Sequence, residues 1–227
     1  MAILGISGYS NSGKDTVGTI IQYVNCQNPQ TSIEKMCTNY SEYEYWLDEQ
    51  SGWEIRKFAG KLKDIASHLT GLDVEDFEDQ DFKKTNLGLE WWTTCDEGLQ
   101  PMTVRDFLQK LGTDALRNGL HPNVWVNALM ADYKGTDLGE WKGEKVYSEN
   151  LPNWIITDVR FPNEAQAIKD RGGIIIRVDR PGVKPINNHL SEIGLDGWNF
   201  DYKIANISDI FSLKQTVEQI LKHAKLL

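Results

Sequence analysis

Gly8-Tyr9-Ser10-Asn11-Ser12-Gly13-Lys14-Asp15-Thr16 is the stretch on which the reading of this chain turns. Residues 2–7, Ala-Ile-Leu-Gly-Ile-Ser, read as a short buried strand running straight into it. Behind it, Val17, Ile20, Ile21 and Val24 recur at steps of three, one and three, the mark of a helix with one apolar face. Strand, glycine-bearing loop and helix in that order form a phosphate-binding unit. Glycines let backbone N–H groups turn inward around phosphate oxygens, and the helix start adds its positive dipole end. Gly8 to Lys14 fits G-x-x-x-x-G-K, with Lys14 placed to reach the outer phosphates of a nucleotide. The Ser/Thr that usually follows the lysine sets a hydroxyl on Mg²⁺. Here Asp15 takes that place and Thr16 comes next, so the ion is expected on a carboxylate, directly or through water.

The rest of the chain alternates strands and helices. Trp154–Thr157, Ile174–Val178 and Tyr202–Ala205 read as strands. Phe161 to Arg171 reads as a helix opened by Pro162 and stopped by Gly172-Gly173, and a C-terminal helix starts near Ser208. This pattern predicts an α/β fold of the P-loop NTPase type, a parallel sheet flanked by helices with ligands at the carboxyl ends of the strands. Between these parts a mostly helical lobe is expected. Phe58 to Leu69 is helical by spacing, Thr103 with Asp106 opens an amphipathic helix in capping-box style, and another helix begins at Pro122. Residues 25–53 are polar, Tyr-rich and poorly periodic, and read as an irregular insertion. The acid-rich run 73–81 reads as a mainly solvated face, and 135–150 as an exposed loop or hairpin.

Composition narrows the function. The chain has 227 residues, 40% hydrophobic and 25% charged, which suits one domain with an inserted lobe. A net charge of −9 argues against a partner of duplex nucleic acid, whose binding rests on Lys and Arg. A small anionic ligand needs only a local group of cations. Cys26, Cys37 and Cys95 are odd in number and widely spaced, which fits a reducing, cytoplasmic setting and disfavours zinc. No run approaches eighteen apolar residues, and the start lacks the basic end of a signal peptide.

A phosphotransferase needs a second anion site, and several residues suit one. Lys57, Lys61 and Lys63 surround Phe58. Arg105 and Gln109 stand four apart on one helix face, followed by Gly112-Thr113-Asp114 and Arg117. Asp158-Val159-Arg160 closes a strand, where Asp158 could orient Mg²⁺ or cap the next helix and Arg160 could grip phosphate. Arg177 and Arg180 flank the end of another strand, ahead of a lid at 181–200 that holds Asn187, His189, Ser191 and Glu192. A signalling GTPase is disfavoured, because no N-K-x-D element occurs. Three D-x-x-G tetrapeptides exist, and only Asp179-Arg-Pro-Gly182 follows a strand.

Taken in order, Gly8…Gly13-Lys14-Asp15-Thr16, Phe58-Ala59…Leu62-Lys63, Arg105…Gln109…Gly112-Thr113-Asp114…Arg117 with Trp125, Thr157-Asp158-Val159-Arg160-Phe161-Pro162-Asn163-Glu164 and His189…Ser191-Glu192 resemble the bacteriophage-type deoxynucleoside monophosphate kinases. The resemblance spans nearly the whole chain apart from about 28–52, 86–100 and 135–150. It implies Mg²⁺-dependent phosphoryl transfer from ATP to a deoxynucleoside 5′-monophosphate, on a single domain that is often dimeric, in the host cytoplasm if phage-encoded. The implied subregions are a P-loop unit at 1–27, an acceptor lobe at 54–133, core strands at 152–180, the lid at 181–200 and a closing strand and helix at 201–227. On this reading Gly8, Asn11, Ser12, Gly13 and Lys14 hold the ATP phosphates, and Asp15 or Thr16 with Asp158 serves the metal. Arg105 and Arg160 hold the acceptor phosphate, and Arg177 or Arg180 closes over the transfer. Phe58, Trp92 or Trp125 would stack on the acceptor base, with Lys61, Lys63, Gln109, Thr113 and Arg117 lining the same lobe. Phosphomevalonate kinases carry a similar Gly-Lys-Asp loop, so a kinase for another small phosphate stays open, as does a nucleotide-binding module without turnover.

Overall fold

The computed structural model describes residues 2–29, 31–95, 98–185 and 193–227. The chain divides into two compact units, one formed by Met1–Lys57 with Ala131–Leu227 and the other by Phe58–Met130.

The first unit is built on five strands: β1 (Ile3–Ser7), β2 (Trp53–Arg56), β3 (Asn153–Ile156), β4 (Ile174–Asp179) and β5 (Tyr202–Ala205). Their order is β2-β3-β1-β4-β5, and every neighbouring pair is parallel. In register, Gly5 of β1 stands opposite Ile156 of β3 and Ile175 of β4. β1 is buried along its whole length, as a central strand covered on both faces must be, which is why its sequence is apolar up to the closing Ser7. On one face lie α1 (Lys14–Asn25) and the C-terminal helix, and they share a core. Val17, Ile20 and Ile21 pack there with Leu4, Ile6 and Ile204, together with Leu213, Val217 and Leu221. The helix Pro162–Lys169 contributes buried Ala165 and Ile168, and the Ile168 side chain reaches Gly5.

The stretch 25–53 is not irregular. It holds α2 (Ile33–Thr38), α3 (Tyr40–Ser51) and the edge strand β2. The Ser32 hydroxyl accepts from the Lys35 amide and starts α2. Leu47 of α3 is fully buried with Cys26 and Met36, while Tyr40, Tyr43 and Trp46 pack partly against them. The helical spacing is present, but it is carried by amphipathic aromatics whose polar tips hide it from a hydropathy reading. Gly52, at φ 67°, turns the chain from α3 into β2, where Trp53 is buried. Residues 137–147 form an exposed antiparallel hairpin whose turn, Lys142-Gly143, has φ positive at both residues, as a tight hairpin requires.

The second unit packs the helices Gly60–Thr70 and Val104–Gln109 around Ala66, Phe77, Leu87, Val104 and Phe107. Thr103 and Asp106 make the expected reciprocal capping box. The acidic run 73–81 hides a fully buried anchor, Phe77. Lys110–Asn118 continues as a wide π-type coil, and Val124–Met130 begins two residues after Pro122.

Candidate active site

The phosphate loop is set by what surrounds it. A Cβ on Gly8 would lie 2.4 Å from Ser12 Oγ and 2.5 Å from the Val178 carbonyl, so only glycine fits beside β4. Asn11 (φ 64°) and Gly13 (φ 96°) are left-handed and turn the backbone inward. The Ser12 amide closes the loop on the Tyr9 carbonyl at 3.1 Å. Asn206, just past β5, donates to the Ser12 carbonyl at 2.9 Å and so pins the loop from two strands away. Ser12 is fully buried, and its Oγ has no partner among the described residues. No side chain among them caps the start of α1 either. An orphaned hydroxyl and uncapped helical amides in a closed loop suit an anion such as a nucleotide phosphate.

Asp15 sits in a cage of donors. Thr157 Oγ1 donates to its Oδ1 at 2.9 Å, Lys57 Nζ lies 3.6 Å from the same oxygen, and Lys14 Nζ lies 3.4 Å from Oδ2. Desolvation would raise this carboxyl, but the two lysines and the Thr157 hydroxyl outweigh it and hold it below the usual carboxylate range. Thr157 and Lys57 enter here because β2 and β3 pair in the sheet. Lys57 therefore belongs with the donor loop, although its sequence neighbours suggested the acceptor lobe.

The turn after β3 is fixed by a buried glutamate. Glu164 Oε2 accepts from the amides of Arg160 (2.9 Å) and Phe161 (3.1 Å). The capping function expected of Asp158 therefore falls to Glu164, and Phe161 occupies the N-cap position. Asp158 is buried at this sheet edge, and Arg160 is half-buried. With Asp15 and the partly exposed Thr16, Asp158 supplies hard oxygen donors that fit Mg²⁺. Among the described residues no three acidic, His or Cys side chains converge on one point.

Arg177 is 6% exposed. Its Nε donates to Asp179 Oδ1 at 2.8 Å, Nη2 lies 3.5 Å from Asp196 Oδ1, and its guanidinium sits 4.5 Å from the Tyr9 ring centroid. Arg180 is exposed. Asn187, His189, Ser191 and Glu192, expected in the lid, lie outside the described residues.

In the second unit the predicted residues divide. Phe58 and Trp125 are buried, and Trp125 Nε1 donates to the Gly112 carbonyl at 2.8 Å. Trp92 is half-buried and tied to the Leu87 carbonyl at 3.0 Å. Lys63 is buried and paired with Glu78. Arg117, also buried, donates to the Pro122 carbonyl at 3.3 Å. The π-type coil places Thr113 and Arg117 on its buried side. Lys61 is exposed, Gln109 is half-buried, and Arg105, half-buried, donates to Gln80 at 3.2 Å.

Sheet order, phosphate loop and the Lys14–Asp15 pair together define a P-loop kinase fold. Residues 62–217 match the family model for deoxynucleotide monophosphate kinase, well over half of the chain. The chain belongs to the deoxynucleotide monophosphate kinase family. Among its relatives, a protein of Acanthamoeba polyphaga mimivirus, provisionally named a deoxynucleotide monophosphate kinase, is 28% identical over 86% of this chain and 82% of its own length. The deoxynucleotide monophosphate kinase of Enterobacteria phage T4 is 23% identical over 98% of this chain and 99% of its own. The deoxynucleoside-5′-monophosphate kinase of Escherichia phage T5 is 23% identical over 91% and 90%.

Proposed function

We propose that this kinase transfers the γ-phosphoryl group of ATP to the 5′-phosphate of a deoxynucleoside monophosphate, with Mg²⁺. The observation that carries this reading is the closed phosphate loop with Asp15 held between Lys14, Lys57 and Thr157, in a chain of this family. The acceptor phosphate is itself the nucleophile, so the protein's work is to position two polyanions and offset their repulsion. The loop amides, Ser12 Oγ and Lys14 take the donor phosphates. Asp15, Thr16 and Asp158 would hold Mg²⁺, which when bound neutralises charge on the donor phosphates. Arg160 serves the acceptor phosphate from the sheet edge. In the lobe, Arg105 with Gln109 and Lys61 form the acceptor surface, and the buried Thr113 and Arg117 support it from within. Lys63 stays paired to Glu78 and braces the lobe. Arg180 is the exposed arginine available to the transferred group. No helix among the described residues is long and apolar enough to cross a membrane.

The test is coupled ADP release over dAMP, dCMP, dGMP, dTMP, their ribose counterparts and phosphomevalonate. Release stimulated by deoxynucleotides and abolished in Lys14→Ala is expected. Stimulation by phosphomevalonate alone, or by no acceptor, would overturn the assignment.

A further inference from the structure

Arg177 is an arginine at the donor end of the sheet that is already fully engaged by protein. A buried guanidinium is tolerated only when its charge is offset and its donors are met. Here Asp179 and Asp196 supply the charge, the Tyr9 ring covers one face, and Phe200 lies 5.6 Å away. The Tyr9 hydroxyl donates to the same Asp196 oxygen at 2.9 Å. A closed circuit thus joins residues 9, 177 and 196, three points far apart in sequence. Tyr9 is also the residue whose carbonyl receives the Ser12 amide and closes the phosphate loop. Whatever holds the Tyr9 ring therefore anchors the backbone segment that carries that carbonyl.

We infer that Arg177 is a positioning residue of the donor site: with Tyr9, Asp179 and Asp196 it forms a clasp that sets the first limb of the phosphate loop. The inference rests on the reading of Gly8–Thr16 as the cradle for ATP phosphates. The clasp acts through loop shape and touches no substrate. It replaces the expectation that Arg177 swings over the transferred group. Arginine is required rather than any cation, because only a planar fork can stack on Tyr9 while bonding edge-on to carboxylates.

The test compares Arg177→Lys, Tyr9→Leu, Tyr9→Phe and the Tyr9→Leu/Arg177→Lys double variant in the full chain. Steady-state constants for ATP and for the best acceptor would be measured, with ADP affinity by calorimetry and Tm. Arg177→Lys and Tyr9→Leu should each raise the ATP KM and the ADP Kd by about 3- to 10-fold, the scale of a partly desolvated cation–π contact. The acceptor KM should move less than about twofold. The double variant should be no worse than the weaker single, since both break one clasp. Tyr9→Phe, which keeps the ring, should lose less than Tyr9→Leu. Losses that multiply in the double variant, or donor and acceptor constants that worsen together with falling Tm, would overturn the clasp. If buried Arg177→Lys does not fold, the two variants at partly exposed Tyr9 decide: Tyr9→Leu must raise the ATP KM and the ADP Kd with the acceptor KM steady and Tyr9→Phe must lose less, and any other pattern overturns the clasp. Lys14→Ala is the control. If it binds ADP as tightly as the parent, the cradle reading has failed; if it loses ADP while the clasp variants do not, the clasp alone has failed.

Discussion

Asp48→Asn should stabilise the protein at neutral pH and leave it unchanged in acid. Asp48 lies on α3, where its Oδ1 receives Gln22 Nε2 at 2.6 Å. Burial is the main force on its carboxyl and pushes its pKa up to about 6; Glu44 and Glu54 push the same way, while the Gln22 bond and Arg56 hold it back. A carboxyl whose folded pKa is raised above the unfolded value binds its proton more tightly in the native state. Stability is then lost as pH rises from about 4 through 6, and the penalty is fully present above that window. A displacement of about two pH units corresponds to roughly 3 kcal/mol at most. Asp48 is only partly buried, so screening by solvent reduces this to about 1 kcal/mol. Asparagine keeps an oxygen for Gln22 and carries no charge. Urea unfolding of parent and variant at pH 7.5 and pH 4.5 measures the difference directly, with unchanged m-values as the check that both unfold alike. A gain of about 1 kcal/mol at pH 7.5 that shrinks towards zero at pH 4.5 is expected. A gain of equal size at both pH values, or a loss at pH 7.5, would refute the reasoning.

Two further substitutions probe the halves of the site separately. Thr157→Val removes the hydroxyl that orients Asp15 while keeping its shape, and should weaken Mg·ADP binding about 3- to 10-fold with metal-free ADP unchanged; equal loss with and without Mg²⁺ in calorimetry would remove Asp15 from the metal role. Arg105→Ala should raise the acceptor KM or lower kcat by about tenfold with little change in ATP binding; loss of ATP binding in the same assay would move Arg105 to the donor side.

The donor half was legible in the sequence because its signals are local. The apolar run of β1, the two loop glycines, Lys14 and the 3–4 spacing of α1 lie within the first two dozen residues, and each follows from backbone or burial rules on its own. The strands at 154–157 and 174–178 were equally plain, since parallel strands buried on both faces are continuous β-branched or aromatic runs, whereas the half-exposed edge strand at 202–205, interrupted by Lys203, carries a weaker signal. What escaped is long-range or amphipathic. α3 buries one Leu among tyrosines, so no hydropathy period marks it, and β2 was lost with it. Lys57 could not be assigned to Asp15 without knowing that β2 pairs with β3. Asn206 holding a loop 194 residues earlier leaves no trace in spacing. The burial of Phe58 and Trp125 escaped as well, because an aromatic next to candidate cations reads as exposed until the packing around it is known.

Asp15 explains how a chain of net charge −9 can gather cations for two polyanions. Lys14 and Lys57 both face this one carboxylate, and Arg177 faces Asp179 and Asp196. Without such anions, two lysines beside one loop would repel each other and stay extended into water. With them, the side chains are held in place before any nucleotide arrives. The two arrangements differ in exposure, and the roles proposed for them follow that difference. The Asp15 side chain is 58% exposed, so its pairings are weak and exchangeable, and an incoming phosphate can draw Lys14 away. Arg177 is buried between its carboxylates and a ring, where removing one partner would strand a charge, so its pairings persist. On the proposed reading, a shared carboxylate where most such loops carry a hydroxyl keeps the lysines ready, while the buried arginine keeps the loop's shape.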